Sequence, residues 1–396
     1  MKFAHISDLH LGMRIYDRKI AEDQRFILGE ILNVLKNEKP DGVLISGDIY
    51  DRPVPPEESV DMFGSFLSGI HSMNMDIYMI SGNHDSPERI DFGTQLLESA
   101  GVYVAGKFDG TLHKVTKKDE FGEIDIFLMP YIKPAFVKNL MLKSTASEVI
   151  PGTRTSHGVR NEKCDAENMG GDSGSVKLDY ETAVRMVLAT NPPDRKRRNV
   201  ILAHQLVFGA TRMDSEEILV GYVDAISDSV FDDFDYVALG HLHKRQRIKR
   251  DEQLYCGSPL KYSFKEEKNK KSVTFVQMGH KGEVEIYTVP LKPLRDMRNM
   301  RGSFEELEKG ESEDFMRAVL TDETPVPYAF NRLRVKYPNL LKLEYEHTAD
   351  FAGMVKSDLA LKVKSPRELF EEFFEKCTGR GLDEEERGIL EDVMQG

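Results

Sequence analysis

Cysteine is scarce in this chain. Its three cysteines in 396 residues, Cys164, Cys256 and Cys377, are too few and too scattered for a disulfide framework or a thiolate metal motif, so a reducing cytoplasm is the expected setting. Long apolar runs are also missing: the longest are strand-sized, well short of the roughly 20 residues that a membrane-spanning helix needs. The opening MKFAHISDLHL turns polar too early for a secretion signal and reads as a first strand. No internal repeat is visible. Positive charge is in deficit, with 54 Lys and Arg against 67 Asp and Glu and a net charge of −13, which at first argues against a polyanionic partner. Much of that deficit lies in residues 303–396, with 13 basic against 22 acidic side chains. Part of the remainder is carboxylates that a metal site would neutralise. Nucleic acid therefore stays open.

What is present is alternation of short apolar runs with helical patterns over the first 280 residues, the mark of a layered α/β domain. Strands are expected at Lys2–Ile6, Val43–Ile45, Ile77–Ile80, Ile124–Met129, Val200–Ala203, Tyr236–Leu239, Leu254–Cys256 and Val273–Met278. Phe26, Ile27, Ile31, Leu32 and Leu35 form one helical stripe ending before Pro40, and Glu57–Ser72 reads as a second helix. Residues 143–178 are polar, bear glycine and serine and have no apolar period, so a loop insertion containing His157 and Cys164 is expected there. The expected organisation is a domain over 1–285, a smaller α+β cap over 286–350 and a helical tail over 351–396. In the cap, strands are expected at Phe315–Leu320 and near Leu340–Tyr345. Pro327–Tyr337 fits a strand by its alternation of Leu333, Val335 and Tyr337, or a helix begun at Pro327, with helix preferred. In the tail, Ser365, Pro366 and Glu368 make a capping box ahead of an apolar face of Leu369, Phe370, Phe373 and Phe374. That face either packs on its own domain or enters a groove on a partner.

Chemistry gathers where the expected strands end. SDLH supplies Asp8 and His10, SGDIYD supplies Asp48, and SGNHD supplies Asn83, His84 and Asp85. HQ supplies His204, and GHLH supplies His241 and His243. In α/β sheets the loops beyond the strand carboxyl ends are where ligands collect. Two carboxylates, one amide and four imidazoles are too many donors for one tetrahedral ion. They suit two ions of intermediate hardness, with Mn²⁺ expected and Mg²⁺, Fe or Zn²⁺ as alternatives. Gly47, Gly82 and Gly240 would let the backbone turn tightly near the metals. Each motif alone has a bland reading as a turn or a capped loop, but five in order after five strands do not.

The ordered set DxH, GDxxD, GNHD, a later histidine and GHxH resembles the calcineurin-like metallophosphoesterase superfamily. The resemblance implies a four-layer αββα sandwich. One ion would take Asp8, His10, Asp48 and His243, and the other Asp48, Asn83, His204 and His241. His84 would remain unligated, as a general acid or stabiliser of the leaving oxygen. Asp85 either orients His84 or caps the next segment. Around the motifs, DGVLISGDIYDRPVPP, MISGNHDSPERI, FDYVALGHLHKRQ and YCGSPLKYSF resemble the SbcD family of nuclease subunits, as do AVLTDETPV and RLRVKYPNLLKLEYE in the cap. That likeness implies a manganese-dependent nuclease with 3′-to-5′ double-strand exonuclease and single-strand or hairpin endonuclease activity, serving DNA repair and recombination. It also implies DNA and a coiled-coil ATPase, SbcC, as partners, with a homodimer inside a heterotetramer. At Asp51, archaeal and eukaryotic relatives carry a histidine, so a role borrowed from them does not transfer. The competing readings are a stand-alone phosphatase or phosphodiesterase for small molecules and a scaffold that tethers DNA ends.

Two basic runs offer a DNA surface or solvated turns, the DNA surface preferred for KRQRIKR (Lys244–Arg250), next to the last candidate ligand, and the solvated turn for DRKRR (Asp194–Arg198). The mixed run KEEKNKK (Lys265–Lys271) reads as a solvated hairpin.

Overall fold

Near-continuous burial along the central strands gives the sheets of the first unit two covered faces, which requires a layer on each side. The computed structural model describes residues 1–147, 178–210 and 224–346 with a few isolated positions beyond, and divides the chain into Met1–Arg298 and Asn299–Gly396. The first unit begins with β1 (Lys2–Ile6), a short hairpin of β2 (Arg14–Ile15) and β3 (Arg18–Lys19), α1 (Ala21–Glu38) and β4 (Gly42–Ser46). Then come α2 (Glu57–Ser72), β5 (Asp76–Ile80) and two short helices, α3 (Pro87–Ile90) and α4 (Thr94–Glu98). β6 (Val102–Ala105), β7 (His113–Asp119), β8 (Gly122–Met129) and α5 (Pro134–Ser147) follow. Further on are α6 (Tyr180–Thr190), β9 (Arg198–Ala203), β10 (Tyr236–Leu239) and β11 (Gln246–Arg247). β12 (Gln253–Tyr255), β13 (Ser272–Met278) and β14 (Val284–Pro290) complete its two sheets.

Both sheets have six strands, in the orders β14-β13-β1-β4-β5-β6 and β11-β12-β10-β9-β8-β7. Phe3, Leu44, Tyr78 and Ile80 of the first meet Ile126, Leu128, Val200, Leu202 and Ala238 of the second in a shared core. The alternate residues of the second sheet, Phe127, Met129, Ile201, Val237 and Leu239, pack with Val137 of α5 and Ala183, Val184 and Val187 of α6. α1 and α2 bury Ile27, Ile31, Leu35, Met62, Phe66 and Ile70 to complete the αββα layering. Phe26, assigned to the apolar stripe of α1, instead points outward at 39% exposure, and Leu28 takes the buried position. Runs of parallel strands, β1-β4-β5-β6 and β8-β9-β10-β12, bring the carboxyl ends that matter to one edge of each sheet.

In the second unit, β15 (Met297–Gly302), β16 (Phe315–Leu320) and β17 (Leu340–Tyr345) form one sheet, with α7 (Phe304–Leu307) and α8 (Ala329–Lys336) between them. Phe304, Ala318, Leu320, Leu333 and Leu340 are its core. The ambiguous segment is the helix α8: Leu333 and Tyr337, four apart, are buried, while Val335 is 79% exposed. Pro327 lies outside it, because Tyr328 precedes the first turn in a left-handed conformation. A capping box does occur in this unit, at Ser303 and Glu306. The expected boundary at 285 falls inside β14, which is hydrogen-bonded to β13 along its whole length. α5 continues to Ser147, so the first residues of the expected insertion are helical. The rest of that insertion, and the tail with Ser365, Phe370 and Phe373, lie outside the described residues.

Candidate metal centre

Asp8 and His10 leave β1, Asp48 leaves β4, Asn83 leaves β5, His204 leaves β9, and His241 and His243 leave β10. Four of these residues adopt a conformation that residues other than glycine avoid. The φ angles of Asp8, His10, Asp48 and His241 are 54°, 43°, 49° and 102°. Neighbouring backbone holds them there. The Asp8 amide donates to Gly47 O (3.1 Å), His10 to Asp48 O (3.0 Å) and Leu11 to Ile49 O (2.9 Å). The His241 amide donates to Asp8 Oδ1 at 3.0 Å, joining the two sheets.

Close approach explains two of the glycines. A methyl group at Gly82 would overlap the Asp48 carboxylate, and one at Gly240 would overlap Ser46 O and lie 2.8 Å from Nδ1 of His204. Gly240→Ala is therefore expected to cost about 3 kcal/mol, with a matching loss of metal binding. Urea unfolding and metal titration would measure both, and an unchanged midpoint would refute the close-approach argument.

The donor atoms converge from both sheets. In three groups they lie within 4.8 Å of one another: Asp8, His10 and His243; Asp8, Asp48 and His204; and His10, Asp48 and His84. Nε2 of His10 is 3.1 Å from Nε2 of His243. Oδ2 of Asp48 is 3.2 Å from Nε2 of His204 and 3.7 Å from Nε2 of His10. Oδ1 of Asn83 is 3.1 Å from Nε2 of His204 and 3.0 Å from Nδ1 of His241. All seven expected ligands are thus brought together.

This arrangement calls for cations. Nδ1 of His204 donates to Ser46 O at 2.7 Å, so the ring presents its Nε2 to two oxygens, those of Asp48 and Asn83. Burial opposes charge on this ring, yet the Asp48 carboxylate raises it to about 9. Asp48 is held well below the usual carboxylate range, because His204, His10 and His84 outweigh the effect of burial. Burial pushes His10 down and Asp8 up. A buried set of mixed nitrogen and oxygen donors facing one another, with no thiolate, fits divalent ions of intermediate hardness.

His84 stands beside this set. Its amide donates to Oδ1 of Asp48 at 3.0 Å, and its ring makes an edge contact with His10 at a centroid separation of 4.8 Å. Nδ1 lies 3.0 Å from the carbonyl of Asp51. A carbonyl only accepts, so Nδ1 carries a proton and Nε2 is left toward the site. Asp51 thus contributes through its backbone, while its side chain lies 3.6 Å from Arg52. The alternative that Asp85 orients His84 is not what is found. The Asp85 carboxylate accepts from the amides of Gly82 (2.9 Å), Ile49 (3.1 Å) and Tyr50 (2.9 Å), tying the β4 and β5 loops together. Burial and the charge of Asp48 raise it to about 6 against the pull of those amides. Asp85 is a fastener of loops, and the ring is oriented by a carbonyl.

Residues 1–245 match the calcineurin-like phosphoesterase family. The chain belongs to that family. Residues 293–378 match a second family, described as the type 5 capsule protein repressor C-terminal domain. The chain is 27% identical to the D component of the nuclease SbcCD of Staphylococcus saprophyticus, over 100% of this chain and 98% of that protein. It is 26% identical to the component of the same name from Staphylococcus epidermidis, over 97% of this chain and 95% of that protein. Among solved structures, a dimetal phosphatase from Danio rerio matches at a TM-score of 0.38 and 11% identity, covering 74% of this chain and 99% of that one.

The phosphoesterase site has a supporting layer in the segment read as a solvated hairpin. Glu266 is 0% exposed and Lys271 is 8% exposed. The Lys271 ammonium donates to Glu266 (2.6 Å), Ser258 Oγ (2.7 Å) and the carbonyl of His243 (2.9 Å). Oε1 of Glu266 stands 3.7 Å from Nδ1 of His243. Despite burial, His243 and Lys271 hold Glu266 down at about 2. Tyr262 donates to Leu9 O at 2.6 Å and packs edge-on against His10 and His243, both at 5.4 Å. A carboxylate behind a ligating imidazole fixes its tautomer and raises its basicity. Glu266→Gln is expected to weaken divalent-metal binding by about 10- to 100-fold and to cost about 3–5 kcal/mol by stranding Lys271. Adding Lys271→Met should recover stability without recovering affinity. Recovery of both would show that Glu266 serves the fold alone.

The basic runs are largely occupied. Arg198 is buried and bridges to Asp119, Arg197 pairs with Asp125 at 2.9 Å, and Arg195 pairs with Asp233 at 2.8 Å. In the other run Arg247 pairs with Asp251 and Lys249 with Asp228, at 2.6 and 3.2 Å, and Arg250 donates to the carbonyls of Phe231 and Phe234. The 194–198 segment is therefore mainly structural, and most of 244–250 is partly neutralised.

Proposed function

We propose that this phosphoesterase is a two-metal DNA nuclease, the SbcD-type member of a complex with an SbcC-type ATPase. The observation that carries the reading is the meeting of seven nitrogen and oxygen donors from two sheets beside an unshared imidazole nitrogen of His84. Asp8, His10, Asp48 and His243 would hold one ion, and Asp48, Asn83, His204 and His241 the other, with Mn²⁺ preferred. Such a pair, when bound, supplies Lewis acidity and an activated water for in-line displacement at phosphorus. The protein supplies the rest. Asp48 faces both donor groups, and the strained turns fix the donors before any ion arrives. As an imidazolium, His84 keeps Nδ1–H on the Asp51 carbonyl and offers Nε2–H to the departing oxygen.

The relatives support a DNA substrate: the match to nuclease components runs through both units, covering 98% of one of those proteins. The proposed activities are 3′-to-5′ exonuclease on duplex ends and endonuclease on single strands and hairpins, by a homodimer within a heterotetramer with SbcC. No helix among the described residues is long and apolar enough to cross a membrane, in keeping with the cytoplasm as the proposed location.

End-labelled linear duplex, with Mn²⁺ and with or without the ATPase partner, tests the reading. Release of nucleotides from the 3′ end is expected. Turnover of p-nitrophenyl phosphate without DNA cleavage would replace it with a small-molecule phosphatase. Two bound ions with no cleavage of either substrate would favour a tether.

A further inference from the structure

Next to Asn83 the surface dips into a cavity of about 170 Å³. Its floor includes Phe108 and Ile132, 3% and 2% exposed, and its lining includes the rings of Tyr131 and Phe136 with the exposed Lys107 and Lys133. The cavity adjoins the donor set twice, through Asn83 itself and through Tyr131, whose ring makes an edge contact with His204 at 6.2 Å. The Tyr131 amide donates to Ser81 O at 3.1 Å, which ties this wall to the strand end that bears Asn83. Phe136 is 47% exposed, an aromatic face at the edge of an aromatic-lined cavity.

We propose that this cavity receives the nucleobase of the 3′-terminal nucleotide, stacked against Phe136 and Tyr131, while its phosphate lies at the metal centre. The proposal rests on the nuclease reading and names the part of the substrate that the donor set does not touch. Three observations support a base over another occupant. Apolar cavities of about 150 Å³ accept a benzene-sized ring, so a planar base ring fits the space. Aromatic side chains give sequence-tolerant stacking, because every base has a π face. Lys107 and Lys133, the latter with its ammonium 5.7 Å from the Tyr131 ring centroid, share the lining with Glu88 and with Asp85, whose carboxylate is taken up by backbone amides, and they supply the positive charge for the flanking backbone. A site of this kind recognises the presence of a base more than its identity.

The test compares duplexes whose 3′-terminal nucleotide carries a base or a tetrahydrofuran abasic analogue, with manganese-loaded wild type, Phe136→Ala and Phe136→Tyr. For wild type, kcat/KM is expected to be about 5- to 100-fold higher with the base than without it. Phe136→Ala should bring that ratio close to one, mainly through KM, and Phe136→Tyr should restore it. Equal wild-type rates on the two duplexes, or a ratio unmoved by Phe136→Ala, would overturn the proposal and leave the nuclease reading standing. Failure of wild type to cut either duplex while holding its ions would overturn the nuclease reading, and this proposal with it.

Discussion

Asp48→Asn is expected to leave a folded protein that no longer loads two metal ions and cleaves DNA about 10⁴-fold more slowly or worse. Asparagine keeps the shape of the side chain and can still accept from the His84 amide at the Oδ1 position, 3.0 Å away in the native contact. It loses the charge that faces His204 at 3.2 Å and His10 at 3.7 Å. In wild type, saturation at a hundredfold excess over Kd should stabilise the fold by about 2.7 kcal/mol. That increment should vanish in the variant. The pH dependence gives a second readout. Without metal, His204 titrates at about 9 against an ordinary 6.5, so the stability it contributes is fully present below 6.5 and lost as pH rises through 9. Metal must displace that proton, so apparent affinity in wild type should climb with pH up to about 9. In the variant, with the raising charge gone, the climb should end at lower pH. Metal analysis finding two ions per chain in Asp48→Asn would refute the bridging role.

His84→Gln should separate proton handling from metal binding. A loss of about 10²- to 10⁴-fold in kcat is expected, the usual contribution of a general acid. Metal content and KM should stay close to wild type, because the backbone contact to Asp48 does not depend on the side chain. His84 also lies within 4.8 Å of donor atoms on His10 and Asp48, which makes ligation the competing role. A fall in bound metal alongside kcat would decide for ligation.

Sequence pattern located the donors because each one follows an apolar strand, and strand ends are the part of an α/β chain that periodicity marks best. The eight expected strands all occur, to within two residues at their ends. Four strands of the two sheets were not visible, among them β11, which is only two residues long. β7, HKVTKKD, is a lysine-rich edge strand with only partial burial, and such edges are written in polar residues. β14 pairs on one side only and alternates weakly. β6 is four residues long. The supporting layer failed differently. Glu266 and Lys271 look like surface charges because their burial depends on Ser258, Tyr262 and His243, which no local pattern connects to them. Likewise, SGNHD shows that an amide, an imidazole and a carboxylate are adjacent, but not that Asp85 turns toward the backbone of β4's loop. That outcome depends on strained turns whose φ values a sequence does not display.

Asp8, His10, Asp48 and Asn83 extend from one sheet, and His204, His241 and His243 from the other. β1, made before the other strands of its sheet, also waits for β13 to fill its free side. A partly synthesised chain therefore holds only four of the seven donors, and those on a sheet that still lacks two strands. The donor set is incomplete until residue 243 has arrived, and the scaffold beneath it is closed only by residues 272–290. The phosphoesterase site therefore comes into being only late in synthesis, once both sheets are complete.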